Sequence, residues 1–232
     1  MKNNIIVVFS SHLPKIDTDN FIQHINDTIG IDHEVYCYPN FNQYSLSEIY
    51  NKAMEEHAND NSIMVFVHHD VIFRTQNWGK KLLKIFNNTK YSIIGLAGSI
   101  TMYDHGCWWL TEDMKNMSKN NMIGRVWHTN GLREWCSDYN SKYYLKEVCV
   151  IDGLFIAVDI NKIVNKFDEN IKGFHYYEID FAINNYLDGC DIAVTNSINV
   201  LHKSIGVTNK SWEENRKQFI EKYKEYLPIY LK

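Results

Sequence analysis

Apolar and polar positions follow two different periods along the first hundred residues. Asn4–Phe9, Glu34–Tyr38, Ile63–Val67 and Tyr91–Ala97 are short runs rich in β-branched and aromatic residues, the composition of strands. The segments between them carry helical spacing. Asp17–Ile29 sets Phe21, Ile22, Ile25 and Ile29 along one face, and Asn77–Phe86 does the same with Trp78, Leu82, Leu83 and Phe86. Ser45 precedes Glu48 by three positions, the spacing of a capping box, and opens a helix predicted to run to about His57. This alternation predicts an α/β fold: a doubly wound, mostly parallel sheet with right-handed crossovers, flanked by helices.

The rhythm breaks at about 100–146. Trp108, Trp109, Trp127 and Trp135 stand there among Met, Asn, Gly and His with no clean period, so an irregular, Trp-rich insertion over the edge or mouth of the sheet is expected. Regularity returns with Glu147–Val158, which reads as one long apolar strand carrying Asp152-Gly153 in its middle. A helix over Ile179–Leu187, one or two strands within Asp191–Leu201, and an amphipathic helix over Trp212–Tyr226 complete the expected order. A single domain spanning 1–232 accommodates all of it.

Composition narrows the function. An apolar content of 45% supports a packed core, and a net charge of −4 argues against nucleic acid as the main partner. No apolar run reaches the roughly 20 residues of a membrane span, and the N-terminus shows no cleavable signal pattern. The five cysteines are odd in number and lack a C-x-x-C, as expected of reduced thiols in a cytoplasmic protein. The phosphate-cradling G-x-x-x-x-G-K-[ST], the dinucleotide G-x-G-x-x-G and the hydrolase elbow G-x-S-x-G are all absent.

Four segments carry candidate chemistry. Ile63–Val67 reads as a strand buried on both faces that ends in His68-His69-Asp70. In parallel sheets ligands bind just beyond the carboxyl ends of strands. Extended backbone would put His68 and Asp70 on one face and His69 on the other; the plainer alternative is a polar triplet that only ends the strand. Asp152 needs a partner or a polar cavity within so apolar a stretch, and Gly153 beside it suggests a bulge or a close approach of backbone. Glu178 and Asp180 lie two apart near a helix start, about 200° apart on a helix, so at most one of them faces a site. The one that does could act as a base toward a hydroxyl, while the other complements the helix dipole. His202 ends the apolar strand Val200-Leu201, much as Asp70 follows Val67.

In combination these segments resemble the GT-A fold glycosyltransferases, specifically the family-2-like bacterial group of polysaccharide biosynthesis. The likeness rests on V-F-V-H-H-D-V (Val65–Val71), D-G-L-F-I-A (Asp152–Ala157), F-D-E-N-I-K-G-F-H-Y-Y-E-I-D-F (Phe167–Phe181) and V-L-H-K-S-I-G (Val200–Gly206), and covers roughly half of the chain. The departure is His68, which stands where the group's metal motif has its first Asp.

The resemblance implies an inverting transfer of a sugar from a nucleotide-diphosphate donor to a glycan, lipid-linked or protein hydroxyl. A divalent cation, Mn or Mg, would be held by Asp70 and His202, with His68 beside them. Asp180 would correspond to the base, with Glu178 next to it. Phe9, Ser10, Ser11, Tyr38, Asn51 and His69 would hold the donor, and Asp152 with Gly153 would lie near its sugar. Trp108, Trp109 and His175 would form an acceptor platform, since aromatic faces pack on sugar rings; a small satellite core is the alternative for the tryptophans. Two other functions fit the same scaffold, a non-catalytic carbohydrate or nucleotide-sugar binding module and a nucleotide-sugar hydrolase. The expected place is the cytoplasm, with at most peripheral contact at the inner face of the membrane.

Overall fold

The computed structural model describes residues 1–59, 61–204 and 206–231, so Ile205 of the V-L-H-K-S-I-G segment lies outside the described residues. The N-terminal half runs β1 (Asn4–Ser11), α1 (Lys15–Ile29), β2 (His33–Pro39), α2 (Leu46–His57), β3 (Ser62–Val67), β4 (Val71–Phe73) and α3 (Trp78–Asn88). It continues with β5 (Ile93–Gly95), β6 (Ala97–Ser99), β7 (Thr101–Met102), β8 (Met122–Thr129) and β9 (Glu134–Tyr139). Then follow β10 (Leu145–Glu147), β11 (Val150–Ile151), β12 (Phe155–Val158), α4 (Tyr177–Leu187), β13 (Ile192–Thr195), β14 (Val200–His202), α5 (Lys210–Tyr223) and β15 (Ile229–Tyr230).

The main sheet has the order β10-β13-β5-β12-β3-β1-β2. β1 is parallel to both β2 and β3, and β5 to β13, whereas β12 is antiparallel to β3 and β5, and β10 to β13. Alternating side chains fill both faces. Ile6, Val8, Met64, Phe66, Ile156 and Val158 face α2, α4 and α5, while Ile5, Val7, Val65, Val67, Phe155 and Ala157 face α1 and α3. This is the three-layer α/β arrangement, and it places the ends of β1 and β3 at one mouth of the sheet.

Two expectations are corrected. Glu147–Val158 is not one strand: β10 and β12 belong to the main sheet, and β11 between them pairs with β6 of a second sheet. Tyr91–Ala97 divides in the same way between β5 and β6. Continuous hydrophobicity conceals such breaks, because each piece is buried wherever it lies. Residues 100–146 are also more regular than expected. β8 and β9 form an antiparallel hairpin, and β8 joins the second sheet in the order β11-β6-β8-β14-β4. Among the described residues no helix is long and apolar enough to cross a membrane, and all five cysteines are free.

The capping box of α2 is present in both directions. Glu48 N–H donates to Ser45 Oγ, and Ser45 N–H donates to the Glu48 carboxylate at 2.8 Å. Ser45→Ala should therefore lower stability by about 1 kcal/mol, read as a shift of the urea midpoint at constant slope. An unmoved midpoint would show that the cap contributes nothing here.

Candidate active site

The tip of β3 turns directly into β4, which pairs antiparallel with β14, His202 opposite Val71. The turn is fixed by two backbone bonds: Val71 N–H donates to the His68 carbonyl, and Lys203 N–H to the Asp70 carbonyl. The strand ends thereby bring Asp70 and His202 together across 132 positions of sequence. Asp70 Oδ1 and His202 Nε2 stand 3.4 Å apart. Both atoms are buried and neither has a hydrogen-bond partner. One ligand-type atom each from His68, Asp70 and His202 lies within 4.8 Å of the other two. Mutually close, with the Asp70 and His202 atoms buried and unsatisfied, a carboxylate and two imidazoles fit a divalent cation.

The electrostatics agree. Burial alone would raise the Asp70 carboxyl, but His202, with His68 and His69, holds it down at about 2. Burial and the neighbouring His202 push His68 below the ordinary imidazole range, toward the neutral form that can ligate. Asp70 outweighs burial at His202 and raises it.

Two cavities meet at this cluster, sharing His68, Asp70 and Phe174 in their walls. The smaller, about 280 Å³, lies beyond the end of β1 and is lined by Ser10, Ser11, His12, Asn40, Tyr50 and His69. His69 Nδ1 lies 3.1 Å from the Ser10 carbonyl, and its ring meets that of His12 edge-on. The larger, about 720 Å³, is walled by Asp152, Gly153 and Glu178 on one side and by aromatic rings on the other. Trp109 packs at 5.7 Å from Trp108 and 5.9 Å from Trp212, and His175 lines the same space.

The opening of α4 decides which carboxylate enters this space. Tyr176 precedes the helix in the left-handed region (φ 67°), held by its hydroxyl bond to the Gly106 carbonyl at 2.9 Å. A bulky side chain holds that conformation only where its surroundings enforce it. Glu178 then lines the larger cavity, with Oε2 buried and unpartnered. Burial, reinforced by Asp152, pushes its carboxyl up to about 8.

Asp180 does not line it, contrary to expectation. It is 1% exposed and faces α5, where Lys222 Nζ and the Tyr223 hydroxyl donate to Oδ1 at 2.7 and 3.0 Å. Three expected donor residues are likewise displaced. Phe9 is core, packed edge-on against Phe21. Tyr38 donates to Glu56 on the outer side of α2. Asn51 clamps the 167–169 segment, bonding the Phe167 backbone in both directions. Phe9 and Asn51 are the immediate neighbours of the lining residues Ser10 and Tyr50, and spacing alone does not resolve which of two neighbours faces the cavity. Gly153 does mark a close approach, but by a side chain: a Cβ there would lie 2.4 Å from the Tyr177 hydroxyl. Asn40, Tyr50 and Tyr177 were not anticipated; the polar Pro39-Asn40 break after β2 was the available signal for the first.

The profile of the family described as "Glycosyltransferase like family" matches residues 6–223. No curated protein sequence matches the chain. Among solved structures it resembles GalNAc-T7 with UDP, GalNAc and Mn2+ (TM-score 0.56, 10% identity, 97% of this chain and 49% of that one). It also resembles the mannosyltransferase PcManGT from Pyrobaculum calidifontis in complex with GDP-Man and Mn2+ (TM-score 0.56, 7% identity, 94% and 62%). The chain thus spans about half and somewhat under two thirds of these two proteins, and at such identities the likeness shows a shared GT-A fold.

The raised Glu178 carboxyl has a consequence for stability. Between pH 4.5, its ordinary value, and about 8, the unfolded chain releases this proton while the folded chain keeps it. Its contribution therefore falls as pH rises through that window. Glu178→Gln should be more stable than the parent in urea at pH 8 and lose this advantage near pH 4.5. An advantage independent of pH would place the proton elsewhere.

Proposed function

The chain belongs to the glycosyltransferase-like family, and we propose that it transfers a sugar from a nucleoside-diphosphate sugar to an acceptor hydroxyl, with inversion and with assistance from a divalent cation. The observation that carries this reading is the meeting of two cavities at His68 and Asp70, beside His202, with Glu178 in the wall of the larger. The complexes of the two structural neighbours, one with UDP, GalNAc and Mn2+ and one with GDP-Man and Mn2+, support a nucleotide-sugar donor and a cation.

In this reading the smaller cavity takes the nucleoside, with His69 and Asn40 in its wall, and the diphosphate lies at the His68–Asp70–His202 cluster. Those three side chains would hold a Mn or Mg ion, whose positive charge would offset the negative charge growing on the departing diphosphate. The larger cavity takes the sugar and the acceptor, with the ring faces of Trp108, Trp109 and Trp212 against the acceptor. Glu178, rather than Asp180, acts as the base. Its carboxylate accepts the acceptor hydroxyl proton as that oxygen bonds to the anomeric carbon. The bond from that carbon to the phosphate oxygen breaks on the opposite side, and its electron pair leaves with the diphosphate. A carboxyl near 8 is well matched to this role, because a base works best when its pKa lies near the operating pH. Asp180 has the structural task of neutralising Lys222 between α4 and α5.

Nucleotide release from UDP-, GDP- and dTDP-sugars, with and without acceptor and Mn2+, tests the reaction. Release that needs acceptor is expected. Release indifferent to acceptor would mean hydrolysis, and binding without release a non-catalytic module.

Residue roles separate in the same assay. Glu178→Gln should lower turnover at least a hundredfold with donor affinity nearly intact, and the activity of the parent should climb with pH toward about 8 as this carboxyl ionises. Asp180→Asn should lower the melting temperature while folded enzyme keeps most of its turnover. The opposite pattern would return the base to Asp180. Asp70→Ala should weaken donor binding in the presence of Mn2+, and unchanged affinity would remove Asp70 from the cation site.

A further inference from the structure

The β8–β9 hairpin separates two unlike surfaces. Arg125 stands opposite Asp138 and Trp127 opposite Cys136, while Gly124 stands opposite Tyr139 and Val126 opposite Ser137. Side chains alternate along a strand, so the first two pairs share one face and the other two pairs share the opposite face. The first face lines an outer groove of about 410 Å³ together with Arg74, and the second lines the larger cavity. The charges of the hairpin are thereby turned away from the cavity and paired outside it, Arg125 with Asp138 at 2.8 Å and Glu134 with Arg74 at 2.6 Å.

The cavity that results carries charge of one sign. Asp70, Asp152 and Glu178 stand in its wall, and among the described residues no lysine or arginine does. Arg216 comes within 6.0 Å of the Trp212 ring, but Glu213 and the His105 carbonyl engage its guanidinium, each at 2.7 Å. Burial lowers His175 toward the neutral imidazole. A phosphate or carboxylate on an acceptor would enter this space with no cationic side chain to meet it, and burying an unpaired anion among carboxylates is costly. The cation of the reading above is already matched to the donor diphosphate.

The wall offers instead aromatic rings and hydroxyl-bearing residues: Trp109 from the loop after β7, Trp212 from α5, and Ser137 and Tyr139 from β9. Ring faces beside hydrogen-bonding groups suit an uncharged sugar. At about 720 Å³ the space is several times the size of one hexose, so it has room beyond the donor sugar and a single accepting residue.

We propose that the larger cavity takes an uncharged oligosaccharide acceptor, its accepting sugar against Trp109 and Trp212 beside Glu178 and its next sugar on the inner face of the β8–β9 hairpin, at Ser137 and Tyr139. The inference rests on the reading above that transfer occurs here, and it adds the class of acceptor and a further sugar subsite.

The test screens the intact chain, with Mn2+ and a mixture of UDP, GDP and dTDP present, on an array of immobilised neutral, uronate-bearing and phosphorylated oligosaccharides. Neutral glycans should be retained and their acidic counterparts should not. The best-bound disaccharide is then titrated by calorimetry beside its own terminal monosaccharide, and should bind about tenfold more tightly. Tyr139→Ala should remove that tenfold gain and leave the monosaccharide affinity unchanged, whereas Trp127→Ala, on the opposite face of the same hairpin, should alter neither. The selectivity of the parent chain on the array stands even if Tyr139→Ala does not fold.

Retention of phosphorylated or uronate-bearing glycans in preference to neutral ones, or of no glycan at all, would overturn the proposal. Equal affinity for the disaccharide and the monosaccharide, or equal losses in Tyr139→Ala and Trp127→Ala, would overturn it too. Nucleotide release that depends on a monosaccharide linked to a lipid diphosphate would then leave the transfer reaction standing with a different acceptor. Release that needs no acceptor would instead remove the transfer reading itself.

Discussion

The pairing of Val71–Phe73 with Val200–His202 holds the rest of the site in place. It joins the carboxyl end of a central strand to a strand far along the chain, and it leaves an aspartate and a histidine 3.4 Å apart with no other partner. Buried polar groups ordinarily satisfy one another. Here the fold spends its backbone hydrogen bonds on fixing the strand ends and leaves the side chains free, an arrangement whose cost a bound cation would offset. Both cavities take their position from this point, since the same two side chains of the β3 tip form part of each wall.

The support beneath it is the three-layer core. β1 and β3 alternate strictly, each face covered by helices, so their ends cannot slip by one residue without turning the whole apolar set to the wrong side. Histidines 68 and 69 follow that alternation out of the core: His68 reaches both cavities, whereas His69 opens only to the smaller. α4 brings the other half of the chemistry. Its first turn points Glu178 inward and Asp180 toward Lys222 of α5, so two carboxylates two residues apart meet opposite environments. One is pushed up to about 8 by burial and a neighbouring charge, while the other neutralises a lysine.

What could be read from the residues alone was whatever depends on local pattern. The capping box at Ser45, the buried strand ending in three polar residues and the paired appearance of Asp70 and His202 after apolar runs are all local statements, and each has its counterpart in the structure. What depends on which sheet an apolar segment joins was not legible. The single strand expected over Glu147–Val158 is three, because burial of Val150-Ile151 against β6 and of Phe155–Val158 against β3 looks the same in composition. The choice between Glu178 and Asp180 was open on the residues, and the family resemblance favoured Asp180. Only the partner on α5 settles its surroundings, and Lys222 lies 42 positions away. Asn51 misleads for a related reason: a buried polar side chain on a helix invites a ligand, and here the Phe167 backbone satisfies it.

The most direct measurement is a crystal structure with a nucleoside diphosphate and Mn2+. The cation is expected on Asp70 and His202, the nucleoside in the smaller cavity beside His69, and the terminal phosphate opening toward Glu178. A cation bound by other side chains, or a nucleoside lodged among the tryptophans of the larger cavity, would contradict it.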